Sequence, residues 1–165
     1  MKKVVYILAF LFVSNVTFGQ SLFDELEDLE EVSSVVITKD MFDLLKQFPD
    51  AKSEDMEVFN TAKGLDELKM FSTDDLSIAT KMEQMVNRAI KNSNLTQLMR
   101  VKDKGSRVKI YVKTTPNKEI VSEVLMFVKS AGDNQDGKSS TVVSLTGDIN
   151  LKDLSKITNK YSESN

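Results

Sequence analysis

Apolar residues at spacings of three and four follow residue 75 and predict an amphipathic helix that ends near residue 91. The apolar face of this helix consists of Leu76, Ala79, Met82, Val86 and Ile90. Such a stripe is typical of a helix that packs on a core. The residues immediately before it, 72–75, read Ser-Thr-Asp-Asp and are the strongest N-cap sequence in the chain.

Three shorter helices and two strands are predicted in the rest of the first half. The first helix opens with a capping box at 21–24; its apolar side comprises Leu22, Phe23, Leu26 and Leu29. The second covers residues 40–48 and is stopped by Pro49, and the third covers residues 53–63. Strands are predicted at 34–38 and at 65–71, the latter with Leu68 and Met70 facing inward.

The second half has the pattern of four strands in two hairpins. Residues 95–102 and 107–113 flank Asp103-Lys104-Gly105-Ser106, a sequence typical of a hairpin turn. Residues 119–129 and 140–146 flank a Gly-rich loop. A last helix is predicted to follow Asn150, which would cap it; its apolar residues are Leu151, Leu154 and Ile157.

Two of these strands differ in their patterns. Residues 124–128 are apolar at every position, which predicts a central strand covered on both faces. Residues 107–113 alternate, so one face of that strand is expected to be solvated. The order of elements predicts a single α+β domain with a largely antiparallel sheet, a C-terminal four-strand meander and helices mainly on one face.

The first nineteen residues have the organisation of a secretory signal peptide. A basic start at Lys2 and Lys3 precedes ten apolar residues at 4–13, and Thr17 and Gly19 occupy the −3 and −1 positions of a cleavage site before Gln20. Ten residues are about half of the ~20 needed to span a bilayer, which argues against a membrane span. We therefore expect removal of residues 1–19 and export of the domain 20–165 to the periplasm or the medium.

Composition restricts the chemistry of the exported chain. It has no His and no Cys, which excludes imidazole bases, thiol nucleophiles, disulfides and His or Cys metal sites. We expect no metal, no cofactor and, without an N-terminal Cys, no lipid anchor. Removal of Lys2 and Lys3 leaves 20 basic against 25 acidic residues, a net charge of −5. This acidic balance disfavours nucleic-acid binding.

Several blocks of the chain resemble the domain-of-unknown-function family numbered 4252. They are residues 23–24, 33–38, 98–103, 108–113, 123–126 and 145–154, of which the segment Gly-Asp-Ile-Asn-Leu at 147–151 is the most specific. The resemblance implies a small periplasmic or surface protein of Bacteroidota, often encoded near sigma and anti-sigma factors. Many members look like lipoproteins, whereas this chain has Thr17-Phe18-Gly19-Gln20 where a lipid-accepting Cys would be. The family supplies no catalytic residues.

A basic hairpin is the first candidate binding site. The fourteen residues 100–113 contain six cations and one opposing carboxylate, Asp103. Alternation predicts that one face carries Arg107, Lys109, Tyr111 and Lys113. This face could bind an envelope protein through an acidic segment, or an anionic envelope component. The competing interpretation is a solvated face whose lysines discourage edge-to-edge aggregation.

Other candidates have simpler explanations. The acidic residues of 24–31 could dock on a partner or on the basic hairpin, or could only solubilise a helix. The loop 132–137 partly matches a calcium loop but lacks its first ligand and its bidentate Glu. A tight turn and an N-cap account for Asp148 and its neighbours. Met82 and Met85 are more typical of core filling than of a binding groove.

These observations favour an exported envelope protein that acts by binding, in a signalling or stress system, and is not an enzyme. Two alternatives remain open. One is a hydrolase that uses carboxylates or a Ser-Lys pair, for which the sequence shows no characteristic motif. The other is a carrier of an apolar ligand, which would need a cavity between sheet and helices.

Overall fold

The computed structural model describes residues 22–45, 64–103, 105–130 and 139–152. In chain order its elements are a 3₁₀ helix (Asp24–Leu26), β1 (Ser33–Thr38), α1 (Lys39–Leu45), β2 (Leu65–Thr73), α2 (Leu76–Asn92), β3 (Thr96–Asp103), β4 (Ser106–Thr114), β5 (Ile120–Lys129) and β6 (Ser140–Asn150). The predictions of a signal peptide at 1–19, a helix at 53–63 and a loop at 132–137 lie outside the described residues. Of the predicted last helix, only residues 151 and 152 are described, and both are helical.

The strands form one six-stranded antiparallel sheet in the order β1-β2-β6-β5-β4-β3. Strands β3 to β6 are the predicted four-strand meander, and β6 returns to pair with β2. Helix α2 connects β2 to β3 at the far edge and lies over β2, β6 and β5. The predicted α+β fold is therefore confirmed.

Helix α2 begins where the N-cap sequence predicted. The carboxylate of Asp75 accepts hydrogen bonds from the backbone N–H groups of Ser77 and Ile78, at 2.8 and 2.9 Å. The Ser77 hydroxyl and the Ile78 N–H hold the pKa of Asp75 below its usual value. The buried face consists of Ala79, Met82, Met85, Val86 and Ala89. Leu76 is 64% exposed because it starts the first turn, so its predicted place on the apolar face is wrong.

The main core lies between α2, the N-terminal segment and one face of the sheet. The sheet contributes Phe71, Leu125, Phe127 and Val142. The predicted capping box is wrong, because Phe23 occupies the N-cap position of a three-residue 3₁₀ helix without a side-chain cap. Nevertheless, Phe23 and Leu26 are buried as expected, and the ring of Phe23 packs on that of Phe71 at a centroid distance of 6.2 Å.

The inward face of β2 differs from the prediction. Lys69, Phe71 and Thr73 are buried towards α2, whereas Met70 on the other face is 38% exposed. Apolar residues occur on both faces of this strand, so the alternation alone does not show which face points to the core. Lys69 faces α2 because its ammonium group donates to the carboxylate of Asp24, which is distant in the sequence, and lies 3.5 Å from that of Glu67 on the same strand.

The opposite face of the sheet carries a second apolar cluster. It consists of Ile110, Val112, Val121, Val124 and Ile149, with partly buried neighbours that include Leu151. Strand β5 is therefore covered on both faces, as predicted for 124–128. On the α2 face of strand β4, Arg107 and Lys113 are exposed, whereas Tyr111 packs against the main core. The solvated face expected for this strand is therefore interrupted at Tyr111.

Strand β6 continues through the turn that was predicted at Gly147 and Asp148. Gly147 adopts a φ of +133°, and a Cβ at this position would lie 2.1 Å from the carbonyl oxygen of Gly64. The Asp148 N–H donates to the same oxygen at 2.7 Å. Glycine is therefore required by the close approach of β2 and not by a turn. The capping role of Asn150 is confirmed, because its side chain accepts from the Lys152 N–H at 2.9 Å.

Candidate functional site: a cation cluster on strands β3 to β5

The register of three neighbouring strands brings five cations together on the face that carries α2. One row across the strands consists of Lys102, Arg107 and Lys129, and the next consists of Arg100, Lys109 and Phe127. Directly opposed residues in an antiparallel sheet have Cβ atoms about 5 Å apart. We call Arg100, Lys102, Arg107, Lys109 and Lys129 the cation cluster.

One carboxylate from α2 enters this cluster. The Lys129 ammonium donates to the Glu83 carboxylate at 2.6 Å and lies 5.6 Å from the centroid of the Phe127 ring. A hollow of about 10 Å³ lies beside this ion pair and is lined by Glu83, Arg107, Lys109, Phe127 and Lys129. A hollow of that size holds about one water molecule, so it is too small for an organic substrate.

The cluster therefore carries unbalanced positive charge. Within residues 64–103, 105–130 and 139–152, only Lys129 of the five is ion-paired. Arg100, Lys102 and Arg107 are exposed, and Lys109 is half-buried. A concentration of one sign of charge on an otherwise acidic protein attracts anionic groups and accelerates their association.

The four residues predicted as a binding face are divided between three environments. Arg107 and Lys109 belong to the cation cluster, and Tyr111 packs at the margin of the main core. Lys113 lies beyond Tyr111 and is paired in register with Glu123. Burial raises the pKa of Glu123, while the charge of Lys113 and a hydrogen bond from Ser93 oppose that rise. Thus the cationic surface is formed by one end of the hairpin and not by its whole length.

Sequence reasoning missed two members of this arrangement. Lys129 comes from the next strand, and its proximity to Arg107 depends on the register of β4 with β5. Strands β4 and β5 have similar lengths, and most of the residues that pair lie at equal distances before and after residue 118. A hairpin centred on that residue could therefore have been predicted from the sequence. Glu83 comes from α2, and nothing local in the sequence indicates which strands that helix crosses.

The acidic N-terminal segment docks elsewhere on the chain. The carboxylate of Asp24 accepts from the Lys69 ammonium at 2.6 Å, and Glu67 lies 3.5 Å from the same group. Glu25 lies 3.5 Å from Lys81 on α2. Within the described residues, the docking of this segment is therefore on β2 and α2 and not on the hairpin.

The charge state of Lys69 follows from these contacts. Its side chain is only 9% exposed. Burial lowers its pKa, but the hydrogen bond to Asp24 and the charges of Glu67 and Asp24 outweigh burial, and the resulting pKa is raised above the usual value. Lys69 is thus a fully matched cation, in contrast to the cluster.

Two further features of the described residues concern ligands and membranes. Among them, no three carboxylates converge in a way that could hold a metal ion. None of their helices has the length and apolarity that crossing a bilayer requires.

Comparison with known proteins places the chain in a family. The family model described as "Domain of unknown function (DUF4252)" matches residues 25–157, a region that includes all six strands and the cation cluster. No curated protein and no solved structure matches the chain. The chain belongs to the DUF4252 family.

Proposed function

We propose that this chain is an exported cell-envelope protein that acts by binding, as an accessory in a signalling or stress system. Its cation cluster would hold an acidic segment of a partner protein. The signal-peptide pattern at 1–19 supports export, and the absence of His and Cys from the sequence favours binding over catalysis.

The observation that carries the proposal is the surplus of charge in the cluster. Five cations occupy two adjacent rows of the sheet, and one carboxylate, that of Glu83 on α2, pairs with Lys129. Placing like charges directly opposite each other on a sheet is destabilising. The cluster therefore opposes the stability of the fold. Binding of an anionic partner would neutralise these charges and would explain why they are placed together.

The alternative functions need more enclosed space than this site provides. A hydrolase or a carrier of an apolar ligand surrounds most of its ligand, commonly in a pocket of about 300–1,000 Å³. The hollow beside Phe127 measures about 10 Å³. A shallow cationic surface suits an extended macromolecular partner better than a small molecule.

In-cell crosslinking of the tagged full-length chain, followed by mass spectrometry, tests the proposal. Wild type is compared with Arg107→Glu/Lys109→Glu, and with Arg88→Glu/Lys118→Glu as a control that makes the same charge change at exposed positions outside the cluster. We expect crosslinked partners in the envelope fraction, retained by the control and lost by the cluster variant. Equal capture by both variants, or a cytoplasmic location of the wild type, would refute the proposal.

A further inference from the structure

Strand β3 is an edge strand of the sheet. Within the described part of the chain, it pairs on one side with β4 and has no neighbouring strand on its other side. All eight residues from Thr96 to Asp103 are exposed. Main-chain N–H and C=O groups along such an edge are available to pair with another extended chain.

The side chains of β3 differ in chemistry between the two faces. A register shift between Gln97 and Met99 inserts Leu98, and regular pairing then runs from Met99 to Asp103. On the face that carries α2, this stretch presents Arg100 and Lys102. On the other face, Met99 is 37% exposed and Val101 is 44% exposed. The edge therefore alternates apolar and cationic side chains.

We propose that β3 accepts an extended segment of a partner protein as a seventh strand, and that acidic and apolar residues alternate in this segment. The proposal rests on the proposed function and specifies its ligand. Main-chain hydrogen bonds would supply affinity, and alternate side chains would supply specificity. Acidic residues would lie opposite Arg100 and Lys102, and apolar residues would lie opposite Met99 and Val101.

The cations of the neighbouring strand, β4, strengthen this preference for acidic residues. Lys109 and Arg107 stand directly behind Arg100 and Lys102 on β4. Because neighbouring strands are about 5 Å apart, an acidic side chain on the added strand would lie about 10 Å from these inner cations. That distance is close to the Debye length of about 8–10 Å at 0.1–0.15 M salt, so screening weakens this attraction without abolishing it. The cations of β4 would thus add a smaller attraction to that of Arg100 and Lys102.

A second copy of the chain is a poor occupant of this edge. Antiparallel pairing of β3 with β3 of another copy would place Arg100 and Lys102 opposite the same cations on the same face. Directly opposed like charges are destabilising. The charges on β3 therefore disfavour self-association and favour a partner of opposite charge.

Titration of synthetic peptides by fluorescence anisotropy tests the proposal. One labelled peptide alternates Glu with Val over seven residues, and a second has the same composition with its Glu residues grouped at one end. We expect the full chain to bind the alternating peptide at least tenfold more tightly. Arg100→Glu/Lys102→Glu should abolish that difference, whereas Arg88→Glu/Lys118→Glu should retain it.

Backbone methylation separates strand addition from simple charge attraction. Successive N–H groups of a strand point to opposite sides, so N-methylation of every second residue blocks pairing in one parity and spares it in the other. We expect one methylated form of the alternating peptide to lose binding at least tenfold and the other to retain it.

Three outcomes would overturn the proposal. Equal binding of all peptides, with loss in Arg107→Glu/Lys109→Glu, would refute strand addition and leave the proposed function standing. Failure of every peptide to bind would refute both. Binding to phosphatidylglycerol vesicles in place of the peptides would identify a membrane surface as the ligand and contradict both.

Discussion

Lys69 and the cation cluster show two different uses of positive charge in one sheet. Lys69 is almost fully buried, and two carboxylates lie within 3.5 Å of its ammonium group. In the cluster, Lys129 is paired with Glu83, while Arg100, Lys102 and Arg107 are exposed to solvent. The first arrangement fastens the N-terminal segment to the sheet, and the second leaves charge unbalanced at an open edge.

The burial of a cation determines whether it has to be paired within the fold. A buried cation has to be matched within the fold, because an unmatched one costs several kcal/mol. A solvated cation needs no partner for stability and contributes little when it has one. Changes at Lys69 should therefore affect folding, whereas changes in the cluster should affect binding.

The largest expected effect is on the Lys69 site and is asymmetric. Asp24→Asn leaves a buried ammonium with Glu67 as its remaining close carboxylate, so we expect a loss of about 2 kcal/mol in the free energy of unfolding. Lys69→Met leaves two partly solvated carboxylates and should cost less than about 1 kcal/mol. Urea unfolding at pH 7 measures both values. Equal losses would show that the ammonium is not held by Asp24.

The next effect separates binding from stability in the cluster. Arg107→Gln/Lys109→Gln should weaken binding of the alternating Glu-Val peptide about tenfold, or about 1.4 kcal/mol. The free energy of unfolding should not fall and should rise by less than about 0.5 kcal/mol, because removal of these cations relieves a repulsion between opposed like charges that solvent largely screens. A destabilised variant would indicate that these cations serve the fold.

A smaller effect is expected when the carboxylate of the cluster is removed. Glu83→Gln releases Lys129 and increases the local positive charge, so peptide affinity should rise about threefold, or about 0.65 kcal/mol. The same titration in 1 M NaCl serves as a control, since salt screening should remove most of the gain. Weaker binding by this variant would contradict the electrostatic basis of the site.

The smallest effect concerns Glu123, which faces Lys113 away from the cluster. Its pKa is raised in the folded protein from a usual value of 4.5, so the folded state binds the proton more tightly than the unfolded state. Stability should therefore fall as pH rises through the interval that begins at 4.5. Glu123→Gln removes this contribution.

Urea unfolding of wild type and Glu123→Gln at pH 4 and pH 7 tests this expectation. The advantage of the variant should be larger at pH 7, by up to about 0.5 kcal/mol, because Glu123 is partly solvated. An advantage that is larger at pH 4 would show that the interaction with Lys113 outweighs burial.

Local patterns predicted the elements whose partners lie close in sequence. The start of α2 followed from Asp75 and the apolar spacing after it, and the β3–β4 hairpin followed from its turn, in which Gly105 has a φ of +90°. The central position of β5 followed from its continuous apolar run. In each case, a short segment contains the physical reason for its own conformation.

Elements that depend on distant partners were not predictable in the same way. Lys69 faces inward because Asp24, 45 residues away, neutralises it. Gly147 lies within a strand and not in a turn because β2 approaches it. Neither contact can be detected in the local alternation of apolar residues. The local pattern therefore predicted the wrong inward face for β2 and a turn at Gly147.

The candidate site was predictable to a similar extent. Arg107 and Lys109 follow from alternation within one strand. The positions of Lys129 and Glu83 require the β4–β5 register and the path of α2 across the sheet. Tyr111 was predicted to lie on the solvated face of β4, because alternation alone does not show that the main core packs on part of the same face.

Amide hydrogen exchange, resolved by residue, tests the central claim most directly. We predict that the alternating peptide slows exchange at every second amide between Met99 and Asp103, whose N–H groups face the open edge. Amides of β1, the other edge strand, should exchange at unchanged rates. Peptide binding that leaves exchange in β3 unchanged, or that protects β1 instead, would contradict the account.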